Sequence, residues 1–406
     1  MTVNSKFKHF LAMALLWGFA DLAAAEENDN FAPVATTNEV ASEAEGRFFA
    51  IPTFKNAYID TTPISKKDGL VVGELGVDGG NKDMIVNLAQ EIADGKLGKF
   101  DSLLITHKGK LLFESYYLRG RIDLPHPQAS ATKSYTSMAI GRAIEMGYLT
   151  MADLDKPLVG FLKDLDSSKF APGAEKITLN QAMTMRSGIR VSKEKTEELE
   201  ANANRLTTLE MIQAYLEHSA PISSDSQSFD YNGIDPMMVM QVLDAAVPGT
   251  ANDFIKTELL DKLGIAKYSW RTAIGGLPRS GNGSGMTSRN MVKWGTLVMS
   301  KGKWNGEQLI SEAFVAKAAS RITQVSDEGA FFNGDNISNP GYGYYLWQTD
   351  MKVGGKIYST ASAQGAFGQF IIAIDELDLV VVATAHDNEF NTMQMVAERV
   401  LPAFTN

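Results

Sequence analysis

The stretch Gln369-Phe-Ile-Ile-Ala-Ile-Asp-Glu-Leu-Asp-Leu-Val-Val-Val-Ala-Thr-Ala385 decides the fold. Two apolar, β-prone runs, 369–374 and 379–385, flank a polar break at 375–378, which predicts an antiparallel hairpin. The same pattern recurs toward the other end of the chain. There, 102–105 and 111–117 lie either side of His107-Lys-Gly-Lys110, with Gly109 in the turn. Hairpins near both ends predict one antiparallel sheet built from the two chain ends. Met84, Leu88 and Ile92 recur at helical spacing before a stop at Gly95, and the tail 388–404 is helical in pattern, so helices are expected to flank that sheet. Between the hairpins, Thr178-x-x-Gln181 and Thr207-x-x-Glu210 are capping boxes, and Thr250-x-x-Asp253 opens a helix that ends at Gly264. The expected fold class is therefore α/β: a sheet domain at 50–125 and 263–406, interrupted by a mostly helical subdomain at 126–262.

Composition agrees with a two-part globular protein and removes several chemistries. A chain of 406 residues exceeds the ~250–300 that one hydrophobic core usually serves. Its net charge of −10 argues against a nucleic-acid partner, because no basic surplus is left to displace phosphate counterions. The absence of Cys removes disulfides, thiolate nucleophiles and cysteine metal sites together. Five His residues without an HExxH motif make a metal site unexpected, and no cofactor motif is present.

The N-terminus reads as an export signal. Lys6 and Lys8 precede the apolar run 10–20, and Ala23-Ala24-Ala25 offers small residues for cleavage before Glu26. Residues 1–25 are thus expected to be a signal peptide, and the mature protein periplasmic or secreted, with no membrane span. Residues 26–49 are acidic and weakly patterned and are expected to form a flexible leader.

The chemistry rests on Ser130-Ala-Thr-Lys133, at the start of a helical stretch reaching Met146. A Ser followed by Lys one turn later shares a helix face with it, and a partly desolvated Lys can accept the Ser proton. The same spacing occurs at Ser5/Lys8, Ser192/Lys195 and Ser300/Lys303, but only Ser130 precedes an apolar helix able to bury its Lys. Tyr231-Asn232-Gly233 stands before a second helix, where a Tyr could serve as acid/base. Ser362-Ala-Gln-Gly-Ala-Phe-Gly-Gln369 leads into the C-terminal hairpin. Its small residues, Gly365 among them, would let a strand edge with Gln364 run beside a substrate. The backbone N–H groups of Ala366 and Ser130 would then pair as an oxyanion hole. Tyr344 and Trp347 suit an apolar substrate wall or strand core equally well. His126 is expected in a loop or at the pocket rim, and Asp153/Asp155 at a helix start. No G-x-S-x-G elbow and no phosphate-binding G-x-x-x-x-G-K-[ST] occurs.

Taken together these motifs resemble the penicillin-recognising serine hydrolases of the class C β-lactamase type, and most of all their branch of family VIII carboxylesterases and 6-aminohexanoate-dimer hydrolase-like enzymes. The resemblance runs from about Ser102 to Ala385. It also takes in Met183-Thr-Met-Arg-Ser-Gly188, Gly283-Ser-Gly-Met-Thr-Ser288 and Gly341-Tyr-Gly-Tyr-Tyr-Leu-Trp347. It implies Ser130 as acylating nucleophile, Lys133 as its proton partner and Tyr231 as general acid/base, with the base assignment between the last two open. It also implies an α/β sandwich with an inserted helical domain. Two positions depart from the lactamase pattern. The third motif carries Ala363 where those enzymes have Lys, which implies poor binding of a β-lactam carboxylate. The tyrosine motif is Tyr-Asn-Gly rather than Tyr-x-Asn, which puts a substrate-binding role for Asn232 in doubt. The expected function is an exported esterase or amidase acting on a small ester, amide or peptide. The alternatives are a β-lactamase or cell-wall D-amino-acid peptidase of the same family, or a non-catalytic binding protein on this fold.

Overall fold

The computed structural model describes residues 31–387 and 390–405; the expected signal peptide, 1–25, lies outside the described residues. Among the described residues the large sheet has ten strands. In chain order these are β1 (Tyr58–Asp60), β2 (Val71–Val72), β3 (Phe100–His107), β4 (Lys110–Tyr116), β5 (Thr323–Gln324), β6 (Ile337–Tyr342), β7 (Trp347–Val353), β8 (Lys356–Gly365), β9 (Gln369–Ile374) and β10 (Leu379–Ala385). Their order across the sheet is β1-β4-β3-β10-β9-β8-β7-β6-β5, with β2 alongside β4. The two hairpins meet where β3 pairs antiparallel with β10, Val380 opposite Thr106 and Val382 opposite Leu104. The sheet is thus closed between early and late chain, as the sequence pattern predicts.

Side chains alternate across the strands and give the sheet two apolar faces. Ile105, Phe113, Phe370, Ile372 and Val381 pack with helix α1 (Lys82–Ala93) and the C-terminal helical stretch, 392–405. Leu104, Ile371, Val380 and Val382 face the other layer. That layer contains helix α2 (Thr132–Glu145), helix α3 (Ile234–Ala246) and helix α4 (Ser288–Met299). Helix α4 approaches the sheet closely at Gly295, where a Cβ would lie 2.4 Å from Val380 Cγ1 and 3.0 Å from Ile371 Cγ2. Both capping boxes form: Thr178 and Thr207 each accept from the backbone three residues on, and Gln181 and Glu210 reach back.

The segment 26–49 departs from a flexible leader within its described part. Residues Thr37–Ala44 are helical behind a Thr36/Glu39 capping box, and Phe48 is buried with Ile51 and Leu124. Glu39 forms a buried ion pair with Arg121. Burial opposes its charge, but hydrogen bonds from Arg121 and Thr36 prevail and hold the carboxyl below its ordinary range. The partner lies 82 residues away in sequence, so a reading of local composition had no means of finding it.

Candidate active site

Ser130 lies in a short 3₁₀ turn, Ala129–Ala131, that runs straight into α2. Ala129 takes a positive φ of 45° immediately before it, a left-handed conformation that costs a residue with a Cβ of order 1 kcal/mol and marks a sharp entry into the helix. One turn on, Lys133 is 3% exposed. Its Nζ donates to Ser130 Oγ at 3.2 Å and to the Gly281 carbonyl at 2.9 Å. Burial alone pushes the amine down to about 7. With one N–H fixed on Gly281, a neutral Lys133 would turn its lone pair to the Ser130 hydroxyl.

Tyr231 closes the other side. Its ring lies 4.7 Å from Lys133 Nζ. Burial pushes the phenol well up, and the Ser130 hydroxyl only partly offsets it, so the group is a neutral hydroxyl at ordinary pH. Around it stand Phe331 at 4.9 Å, Trp347 at 5.7 Å and Tyr342 at 6.1 Å between ring centroids. Trp347 therefore belongs to the aromatic wall behind Tyr231. Tyr344 does not: it is buried against Phe314 at 5.4 Å, in the core, because its neighbour Tyr345 takes a left-handed φ of 58° that turns the chain between them.

The strand beside the nucleophile is β8. Gly365 ends it against the Ser130 turn, where a Cβ would fall 2.3 Å from the Gln128 carbonyl and 3.2 Å from Ala131 N. Only glycine allows that approach. Ala366 follows in the turn closed by the Gly365–Gln369 pair. Gln364 is buried, and its amide donates to Ser362 Oγ at 2.9 Å. Ala363 is also buried, and lines a small void with Ser134, Tyr135, Met138 and Trp294 behind the nucleophile's helix. No cation stands at that position.

Asn232 is engaged at the start of α3. Its Oδ1 accepts from the Asp235 backbone N–H at 2.8 Å, and its amide donates to the Asp230 carbonyl at 2.8 Å, so both ends are engaged at the start of α3. His126 is not a rim residue: it is buried and bonded to Asp101. Three neighbours of the site carried no motif in the sequence. Gly281 holds Lys133, and Phe331 covers Tyr231. Asp235 is wholly buried, and its carboxyl is raised to about 7 by burial against hydrogen bonds from Ser187 and Asn232.

Comparison with known proteins agrees with the fold. No curated protein matches the chain in sequence. Among solved structures, a family VIII carboxylesterase superposes with a TM-score of 0.62 at 13% identity, over 85% of this chain and 98% of its own. A class C β-lactamase gives 0.59 at 14% identity, over 80% and 96%. A protein from Bacillus anthracis described as a 6-aminohexanoate-dimer hydrolase gives 0.58 at 18% identity, over 83% and 84%. At these identities the likeness is one of fold. The β-lactamase family model matches residues 100–402, which span the sheet, the Ser130 helix and the Tyr231 junction. The chain belongs to the β-lactamase family of serine hydrolases.

Proposed function

We propose that the protein is an exported esterase or amidase that works through an acyl-enzyme on Ser130. The observation that carries this reading is the 3.2 Å contact between Ser130 Oγ and the amine of Lys133, a lysine buried enough to be substantially neutral near pH 7. Neutral Lys133 accepts the Ser130 proton as Oγ attacks the carbonyl. The tetrahedral oxyanion is held by the Ser130 and Ala366 N–H groups, the first at the positive end of α2. Tyr231, kept protonated by its burial, passes a proton to the leaving group and regains one from Lys133. Water then attacks the acyl carbonyl as Lys133 takes its proton, and Ser130 Oγ leaves with that proton, releasing the acid. This divides the proton work left open by the sequence: Lys133 is the base and Tyr231 the acid. Export rests on the basic and apolar N-terminal pattern at 6–25.

An uncharged substrate suits the site better than a β-lactam. Ala363 supplies no cation for a carboxylate, and the wall formed by Trp347, Tyr342 and Phe331 is apolar. The test is intact mass and peptide mapping after treatment with a fluorophosphonate probe. A single adduct on Ser130 is expected, lost in Ser130→Ala together with turnover of p-nitrophenyl butyrate, and nitrocefin should be hydrolysed far more slowly than that ester. A folded Ser130→Ala protein that keeps esterase activity defeats the reading. A folded wild type that takes no adduct would favour a binding protein on this fold.

A further inference from the structure

A second cluster of titratable side chains stands outside the Ser130 constellation. Asp101, in β3, is completely buried, and one of its oxygens accepts from two imidazoles. His126 Nε2 and His386 Nδ1 each lie 2.9 Å from Asp101 Oδ2. The other oxygen, Oδ1, accepts from the Arg119 backbone N–H at 2.8 Å. Arg119 Nη1 lies 2.9 Å from His386 Nε2. A guanidinium only donates, so Nε2 is the acceptor and His386 carries its proton on Nδ1, facing Asp101. Burial works against the charge of Asp101, but the two imidazole bonds outweigh it and hold the carboxyl at about 2.

The two histidines sit on the two chain segments that lead to the proposed oxyanion donors. His126 begins the run into Ser130: Gln128 Nε2 donates to the His126 carbonyl at 2.9 Å, and Tyr135 of α2 donates to Gln128 Oε1 at 2.8 Å. His386 follows β10 against the turn that carries Ala366. There Asp387 N donates to the Phe367 carbonyl at 3.1 Å, and Gln369 Nε2 donates to the Ala385 carbonyl at 2.7 Å. A path of rings joins the same two segments: Phe48 lies 4.4 Å from His126, Phe49 5.6 Å from Phe48, and Phe367 5.9 Å from Phe49. We infer that Asp101, by binding His126 and His386 at one oxygen, clamps these segments together and fixes the spacing of the Ser130 and Ala366 N–H groups. Asp101, His126 and His386 are then positioning residues for the oxyanion. This rests on the Ser130 acyl-enzyme reading, because without an oxyanion the spacing has no chemical consequence.

The clamp is tested by steady-state hydrolysis of p-nitrophenyl butyrate with the full chain. Asp101→Asn keeps the shape but removes the charge and sets an NH2 against both imidazole donors, which share one oxygen, or, flipped, against the Arg119 N–H. It should lower kcat by about 10- to 100-fold, the scale of a displaced oxyanion donor, with KM within about threefold of wild type. His386→Leu should behave alike. His386→Asn, whose amide N–H can replace Nδ1–H, should recover kcat to within about threefold of wild type. Wild-type kcat in folded Asp101→Asn overturns the clamp, as does a loss carried by KM, or a His386→Asn variant as impaired as His386→Leu. If Asp101→Asn does not fold, the His386 pair decides alone. Failure of the underlying reading shows separately, as a wild-type protein with no fluorophosphonate adduct on Ser130, and the clamp then falls with it.

Discussion

In the proposed mechanism the surroundings of one residue, Lys133, set the rate. Burial lowers its amine to about 7, so the ammonium dominates below that pH and the free base above it. Only the free base can take the Ser130 proton. For a neutral ester, whose own charge does not vary, kcat/KM should therefore rise with pH and level off, with its inflection near 7; Tyr231, whose phenol burial pushes up, adds no loss on the neutral side. A pH–rate profile on p-nitrophenyl butyrate checks this, and a flat profile from pH 5 to 9 would remove Lys133 as the base. Ser130 and Lys133 were legible in sequence because three residues on a helix put two side chains on one face, a purely local relation. The amine's other hydrogen bond, to the Gly281 carbonyl, reaches 148 residues along the chain and leaves no local trace. The aromatics show the same division. Trp347 and Tyr344 read alike in sequence, and only the left-handed turn at Tyr345 sends one to Tyr231 and the other into the core.

Elements were legible wherever their ends are written locally. The capping boxes at Thr178 and Thr207, the stop at Gly95 and both hairpins satisfy backbone groups with nearby residues, so the pattern sufficed. Asn232 is a motif residue with a structural duty of its own. It stands next to Tyr231 in a motif, yet its Oδ1 accepts from the Asp235 N–H, one of the unpaired donors that open α3. That gives Asn232 a measurable share of stability. Asn232→Ala should cost about 1 kcal/mol in urea denaturation, and Asn232→Asp, which keeps the acceptor, much less. Equal losses from the two variants would mean that the acceptor bond to the Asp235 N–H is not what Asn232 contributes to stability.

The whole molecule is tied across its layers by charge as well as by its two apolar faces. Arg289, on α4, is almost fully buried between the early and late parts of the chain. Its Nη1 donates to Glu114 Oε2 of β4 at 2.7 Å and its Nε to Asp68 Oδ2 at 2.7 Å. Tyr116 donates to the other Glu114 oxygen at 2.6 Å. Burial raises the Glu114 carboxyl above its ordinary range, and Arg289 opposes this most, ahead of the Tyr116 hydrogen bond. Replacing Arg289 by Met leaves a buried carboxylate with one hydroxyl, a loss expected to cost about 3–5 kcal/mol, because the charge keeps its desolvation penalty without its partner. The sign of the pH effect follows. A raised carboxyl binds its proton more tightly folded than unfolded, so stability falls as pH climbs from the unfolded value through the raised one. The Arg289→Met deficit should accordingly shrink in acid, as Glu114 protonates. The double variant Glu114→Gln, Arg289→Met should regain most of the loss at neutral pH, since the fully buried carboxylate is then gone and only Asp68, which is partly exposed, has lost a partner. Urea midpoints of wild type, single and double variants at pH 5 and 7.5 measure all three quantities. A single-variant deficit that does not change with pH and is not relieved in the double variant would assign the role of Arg289 to packing of its stem rather than to its charge.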